Sequence, residues 1–141
     1  MHDRTRDPLS WSISSRTPRS VAASMRLVDR ARAELAGGTA EGAFELLDQA
    51  LELDPGSVPA HVERARAAML VGSTHGARAD LEKALALQPK GAWLAEVVAV
   101  GGEVYETEGR EDAAVVAYRR ALVIHPPNRT AREALSRLLA R

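Results

Sequence analysis

The histidines are the first residues in this chain whose chemistry could bind a metal or move a proton. They are His2, His61, His75 and His125. A zinc site needs closely spaced His or Cys ligands, whereas these histidines form no His-x3-His pair and the chain has no cysteine. The sequence therefore predicts no metal site, disulfide or thiolate nucleophile. We interpret the histidines as helix-surface or interface residues.

Acidic clusters and glycine pairs are the features that could bind a cation or a phosphate group. Glu108, Glu111 and Asp112 cluster without the ligand spacing of an EF-hand loop, and acids that open a helix suit its dipole. The glycine pairs at 37–38 and 101–102 lack the Gly-Lys-Ser/Thr ending of a phosphate loop. No spacing marks a Ser/His/Asp triad or a carboxylate pair. We therefore predict that the protein is not an enzyme and has no cofactor.

The charge and hydropathy of the chain exclude further classes of partner. It has 19 basic and 19 acidic residues, so no net field attracts nucleic acid or an anionic membrane. No apolar run has the length of a signal peptide or of a membrane span. We expect a cytoplasmic protein with no nucleic-acid partner and no direct membrane insertion. Lys83 and Lys90 are the only lysines beside many arginines, which favours a GC-rich bacterial source.

The sequence predicts that the chain folds into helices. Ala, Leu, Glu and Arg are abundant and aromatic residues are few, which is typical of an all-α protein. The pattern A-L-x-[LI]-x-P occurs three times and ends at Pro55, Pro89 and Pro126. The first two prolines are 34 residues apart and the third follows after 37, so the third copy holds three extra residues.

Other columns recur at fixed distances before each proline. A glycine lies seventeen residues before it, an alanine twelve before it, and a leucine or tyrosine eight before it. These residues are Gly38, Gly72 and Gly109; Ala43, Ala77 and Ala114; and Leu47, Leu81 and Tyr118.

These columns resemble the signature of the tetratricopeptide-repeat (TPR) family. In that family small residues lie where two helices touch, a bulky residue fills the space between repeats, and proline ends the second helix. The resemblance covers about residues 24–141 and is closest in the third copy. The first helices depart from the signature. The usual aromatic is replaced by Leu27, His61 and Val98, and the usual leucine by Arg30, Arg64 and Gly101.

The resemblance implies an all-α TPR solenoid of three helix-turn-helix repeats plus a C-terminal capping helix. We expect a flexible N-terminal arm at 1–20 and a TPR domain at 21–141, with repeats at about 24–57, 58–91 and 92–128 and the capping helix at 129–141. The first six helices are predicted near 22–36, 40–53, 58–71, 74–87, 91–107 and 111–124. The extra residues are placed within 90–94, where they add nearly one turn from which Trp93 projects.

Two local features complete this expectation. Thr130 and Glu133 have the spacing of a capping box at the start of the last helix. Gly101 and Gly102 lie inside a helix, which costs about 1 kcal/mol per glycine relative to alanine. A tight contact between helices at that point would compensate for this cost.

The resemblance also implies a function, namely a non-catalytic scaffold that binds a peptide or helix of a partner protein in a concave groove lined by the first helices. Contact positions of the family, carried onto this chain, fall on three sets of residues. They are Met25, Val28, Arg32, Leu35 and Ala36; Pro59, Val62, Arg66, Met69 and Leu70; and Glu96, Ala99, Glu103, Glu106 and Thr107. We select eight as partner-binding: Met25, Val28, Arg32, Leu35, Val62, Arg66, Met69 and Glu103. Such a groove is basic at one end and acidic at the other, which would orient a peptide.

Two alternatives are open at this stage. Arg66 either contacts a ligand or pairs with Glu103 on the neighbouring helix. The protein is either a scaffold or a self-associating assembly protein, a homo-oligomer whose groove is filled by its own or a neighbour's arm carrying Trp11 and Ile13.

Binding of a chaperone C-terminus is disfavoured. The family's carboxylate clamp would fall on Val28, Arg32, Glu63, Glu96 and Val100. Glu96 would repel a carboxylate where that clamp needs a cation.

Overall fold

The computed structural model describes residues 16–141, which form seven α-helices. Their bounds are α1 Pro18–Ala36, α2 Ala40–Leu53, α3 Val58–Leu70, α4 Thr74–Ala86, α5 Gly91–Thr107, α6 Glu111–Ile124 and α7 Arg129–Leu139. The first six predicted helices are confirmed to within one residue except at the start of α1, and the capping helix predicted at 129–141 ends two residues early, at Leu139. Within residues 16–141, none of the helices combines the length and the hydropathy that a membrane span requires. Trp11 and Ile13 of the predicted arm lie outside the described residues.

Helix α1 begins at Pro18, four residues before its predicted start, because its first turn is capped locally. The backbone N–H of Ser20 donates to the Thr17 hydroxyl, and the N–H of Thr17 donates to the Ser20 hydroxyl, both at 3.0 Å. Proline suits the first turn of a helix because it lacks an N–H that would be unpaired there. Residues 18–20, which were predicted to belong to the arm, are therefore helical.

The glycine column ends the first helix of each repeat. Gly38, Gly72 and Gly109 have φ angles of 83°, 82° and 78°, a left-handed conformation that only glycine adopts without strain. Each glycine therefore allows the chain to reverse within a few residues and begin the second helix.

The helices stack as a solenoid. Helices α1, α3 and α5 each pack against the even-numbered helix that follows, and α7 packs against α6. The four odd-numbered helices also pack against one another in a row. Alanines at the crossings are fully buried, and the bulky column fills the space between repeats with Leu47, Leu81 and Tyr118. The columns of the repeat are thus the contacts that hold the stack together.

The three extra residues of the third repeat lengthen its first helix, as predicted. Helix α5 has 17 residues, whereas α3 has 13. The expected close approach occurs at Gly102, where a Cβ would lie 2.6 Å from Cε1 of Tyr118. Gly101 differs from its neighbour, because a Cβ there would meet nothing within 4 Å.

Helix α7 covers the last repeat with Ala131, Ala134, Leu135 and Leu138. The predicted capping box at Thr130 and Glu133 is wrong. Asn128 caps the helix instead, since its Oδ1 accepts the N–H of Ala131 at 2.8 Å.

Candidate partner-binding surface

Arg66 on α3 is the centre of an ion-pair network on the row of odd-numbered helices. Its Nη2 donates to Glu96 Oε2 of α5 at 2.6 Å, and its Nη1 donates to Glu63 Oε2 at 3.1 Å. Its Nε lies 3.5 Å from Glu103 Oε1, an ion-pair contact without a hydrogen bond. Of the two alternatives for Arg66, the structure shows the internal pairing, and it shows Glu96 as the closest partner.

The network continues onto α1 through Arg32. The Nε of Arg32 donates to Glu63 Oε2 at 3.2 Å, and its Nη1 donates to Asp29 Oδ1 at 3.0 Å. Glu63 is only 4% exposed, so this carboxylate takes both arginines as partners because water cannot solvate it. Arg32 and Arg66 therefore hold α1 and α3 together at one shared acid.

At the other end the network reaches α7. Asn128 donates through Nδ2 to Glu96 Oε1 at 3.0 Å, and the Thr130 hydroxyl donates to Glu96 Oε2 at 3.1 Å. Asn128 thus joins the cap of α7 to α5, while Thr130 contacts the network instead of capping its own helix.

The inner face, by which we mean Asp29, Arg32, Glu63, Arg66, Glu96 and Glu103, carries an excess of acid. Two guanidinium groups contact four carboxylates, which leaves a formal charge of −2 when all six are ionised. A guanidinium stays charged at any pH that the protein meets. The inner face is therefore acidic in spite of its two arginines.

The network changes the pKa values of its members in opposite directions. Burial alone would raise the pKa of Glu96, but the charge and hydrogen bonds of Arg66, with those of Asn128 and Thr130, hold it below its usual range. Burial raises the pKa of Glu103, and the nearby Glu96 adds to that rise against the attraction of Arg66. Glu96 is thus the acid whose charged form Arg66 stabilises best, whereas the charged form of Glu103 is less well compensated by its partners.

A cavity of about 770 Å³ opens beside the network. Arg32, Glu63, Arg66 and Glu96 form one side of it, and residues of the α6–α7 connection and of the start of α7, with Arg129 and Glu133 among them, form the other. Trp93, on the turn that the extra residues add to α5, also lines it. The added turn therefore brings an aromatic side chain to a charged cavity, an arrangement suited to a peptide with both charged and apolar groups.

The eight predicted contact residues divide into three groups. Arg32, Arg66 and Glu103 belong to the inner face. Met25, Leu35 and Met69 are partly exposed and pack at the edges of the core clusters. Val28 and Val62 have no exposed surface, so they belong to the core and are no longer candidates for contact.

Sequence reasoning did not select Asp29, Glu63, Asn128 or Thr130. Glu63 has a detectable signal, because an acid within the otherwise apolar, buried face of α3 needs a cationic partner. Asn128 and Thr130 gave no such signal, because the contact depends on how α7 folds back onto α5.

Comparison with solved structures identifies the fold. The Arabidopsis OM64 TPR domain is 25% identical to this chain with a TM-score of 0.68, over 86% of this chain and 98% of that one. The second TPR domain of human RPAP3, solved by NMR in complex with the HSP70 peptide SGPTIEEVD, is 21% identical with a TM-score of 0.63. The likeness covers 84% of this chain and 94% of the RPAP3 domain.

Sequence comparison finds no such likeness. No family model and no curated protein matches the chain. Within this chain the alanine and bulky columns make the contacts of the stack, and the glycine column makes its turns. With the seven-helix solenoid and the glycine, alanine and proline columns, the structural likeness identifies this chain as a member of the tetratricopeptide-repeat family.

Proposed function

We propose that the protein is a non-catalytic interaction scaffold whose inner face binds a basic segment of a partner protein. The observation that carries this proposal is the excess of two carboxylates over guanidinium groups on that face. Interfaces are steered by complementary charge, so an acidic face beside an open cavity favours lysine or arginine on the partner.

The similar RPAP3 domain was solved in complex with an acidic peptide, and the inner face of this chain differs in charge from a site for such a ligand. Arg66 contacts three carboxylates, and Arg32 contacts two. An acidic ligand would have to displace these internal partners, and it would meet Glu103 and Asp29 at short range. These contacts favour a basic ligand on the same row of helices.

A pair of matched peptides tests the proposal. Fluorescently labelled SGPTIEEVD is compared with an amidated version in which its three acidic residues are lysines, by fluorescence anisotropy at several salt concentrations. We expect the basic peptide to bind and its affinity to fall with salt, while the acidic peptide binds weakly or not at all. Tighter binding of the acidic peptide would overturn the proposal.

Two variants locate the binding. Asp29→Asn with Glu103→Gln removes the excess charge while Glu63 and Glu96 keep their arginines. Exposed ion pairs contribute up to about 1 kcal/mol, so the double variant should bind the basic peptide about fivefold more weakly. Glu52→Gln removes an exposed acid from α2 and should leave the affinity unchanged. Equal losses in both variants would mean that overall charge, not the inner face, attracts the peptide.

The alternative of a self-associating protein stays a prediction, because the arm residues 1–15 lie outside the described part of the chain. Sedimentation velocity over a range of concentrations distinguishes it from the scaffold. A mass that grows with concentration, and a basic peptide that competes with this growth, would assign the inner face to a second copy of the chain.

A further inference from the structure

A second cleft, of about 500 Å³, lies on a different side of α5 from the inner face. Its walls are α4 and α6, its floor is α5, and Gly101 opens onto it. Most of its lining is apolar, with Leu85 and Val116 at its edges exposed at 47% and 60%. We name it the α4–α6 cleft.

The same place in the preceding repeat is filled by an arginine. Counting from the prolines, Arg64 of the second repeat corresponds to Gly101 of the third. Arg64 bridges two second helices, since its Nη1 donates to Asp48 of α2 at 2.9 Å and its Nε to Asp80 of α4 at 3.0 Å. His61 completes this contact, with Nδ1 3.2 Å from Asp80 Oδ1.

Of these four side chains, only one has a counterpart of the same kind around Gly101 of the third repeat. Val98 replaces His61, Gly101 replaces Arg64 and Ala117 replaces Asp80, and all three replacements line the cleft. The position of Asp48 is held by Glu82, which still carries a carboxylate and lies on the rim. The cleft therefore has a carboxylate in the place of Asp48 but no arginine in the place of Arg64.

Glu82 is also free to accept such a partner. It is exposed, and within residues 16–141 it makes no hydrogen bond or ion pair. The other charged groups of the rim are Arg78, which pairs with Glu108 at 2.5 Å, and the exposed Arg120 on α6. Arg120 is thus the competing cation that any occupant of the cleft must displace or avoid.

We propose that the α4–α6 cleft binds an arginine from a segment of a partner protein, in the place that Arg64 fills in the preceding repeat. The aliphatic part of an arginine packs on apolar surface while its guanidinium pairs with a carboxylate. Here the stem would lie over Gly101 between Val98 and Ala117, and the guanidinium would reach Glu82. This site goes beyond the proposed function, because it lies on another face and does not depend on the inner face.

The test uses n-butylguanidinium as the probe, with n-butylurea as its uncharged counterpart of nearly the same shape. Each is titrated into the ¹⁵N-labelled full chain, and the amide shifts of Val98, Gly101 and Ala117 are followed by NMR. We expect saturable shifts at these amides, with at least threefold tighter binding of the guanidinium compound. Equal affinity of the two compounds would overturn the proposal, because the cleft would then select only apolar groups.

Three variants make the test specific. Glu82→Gln should reduce the affinity for n-butylguanidinium to that for n-butylurea. Gly101→Arg should abolish binding of both, because it supplies the missing side chain from within. Arg120→Ala should tighten binding of the guanidinium compound by removing the competing cation. Unchanged binding in Glu82→Gln, which alters only an exposed side chain and is expected to fold, would overturn the proposal.

A second experiment identifies the occupant. A displayed library of random dodecapeptides is selected on the wild-type chain and counter-selected on Gly101→Arg. We expect the retained peptides to be enriched in arginine beside an apolar residue. Peptides without arginine, or peptides that bind both proteins equally, would contradict the proposal.

Two outcomes would overturn the proposal of a partner protein, because they would show that the chain itself fills the cleft. Probe binding that appears only after Arg4→Gln with Arg6→Gln would show that the chain's own N-terminal arginines fill the cleft. Dimers in sedimentation velocity that Gly101→Arg abolishes would show that a second copy fills it.

Discussion

Adjacent glycines in α5 are predicted to respond in opposite directions to the same substitution. In Gly101→Ala the new methyl group meets nothing within 4 Å, so the helix propensity of alanine stabilises the fold by about 1 kcal/mol. In Gly102→Ala the methyl group would lie 2.6 Å from Cε1 of Tyr118. Tyr118 has no exposed surface and its hydroxyl donates to Glu106, so the ring cannot move away freely.

The expected difference follows from these contacts. Overpacking a core costs about 1–3 kcal/mol, which cancels or exceeds the propensity gain of about 1 kcal/mol. Gly102→Ala is therefore neutral to destabilising by about 2 kcal/mol, and the two variants differ by about 1–3 kcal/mol.

Urea unfolding followed by circular dichroism measures both variants against the wild type, and equal m-values would show that the same surface is exposed on unfolding. Thermal unfolding gives a second measure, since 1 kcal/mol corresponds to about 3–6 °C in a domain of this size. Equal stabilisation by Gly102→Ala and Gly101→Ala would contradict this prediction. That result would mean that Tyr118 can be displaced without cost and that the close approach of α5 and α6 is not a constraint.

Two further predictions concern buried charge. Asp80→Asn should cost about 2 kcal/mol at pH 7 because it weakens hydrogen bonds to Arg64 and His61. Burial would raise the pKa of Asp80, but the hydrogen bonds from these partners lower it below its usual range. Its contribution is thus present above about pH 4 and lost as the pH falls further, so unfolding curves of variant and wild type should converge at low pH. Arg66→Ala should cost about 2–3 kcal/mol at pH 7, less than the 3–5 for a fully buried pair because Arg66 is partly exposed. A cost below 1 kcal/mol in chemical denaturation would show that Glu63 does not need this partner.

The helices could be predicted from sequence because their ends are marked by proline, which cannot continue a helix, and by glycine, which adopts conformations that other residues avoid. Proline at 55, 89 and 126 ends each second helix, and the glycines at 38, 72 and 109 provide the left-handed turn inside each repeat. The start of α1 was missed because its capping box uses Ser20 where glutamate or glutamine is usual.

The inner face could be predicted only in part, because the side chains that form it lie about thirty residues apart in the sequence. The family positions correctly brought Arg32, Arg66 and Glu103 to one face, since they repeat with the helices. They also selected Val28 and Val62, which the structure buries. A position in a repeat indicates the direction of a side chain, but the size of its neighbours decides whether it reaches the surface.

The column of Arg30, Arg64 and Gly101 departs from the repeat, and we expect binding chemistry at such departures more than at the columns that agree. Residues that agree, such as the alanines at the crossings, are required by the stack and occur in every copy. The three residues of this column differ, and the stack forms with each of them. Arg64 bridges two second helices, Arg30 is exposed at the end of the row, and Gly101 leaves an open cleft. Because the stack forms with each of these three residues, the column can serve binding, and Gly101, beside a Glu82 that has no partner within residues 16–141, is where we expect the arginine of a partner protein.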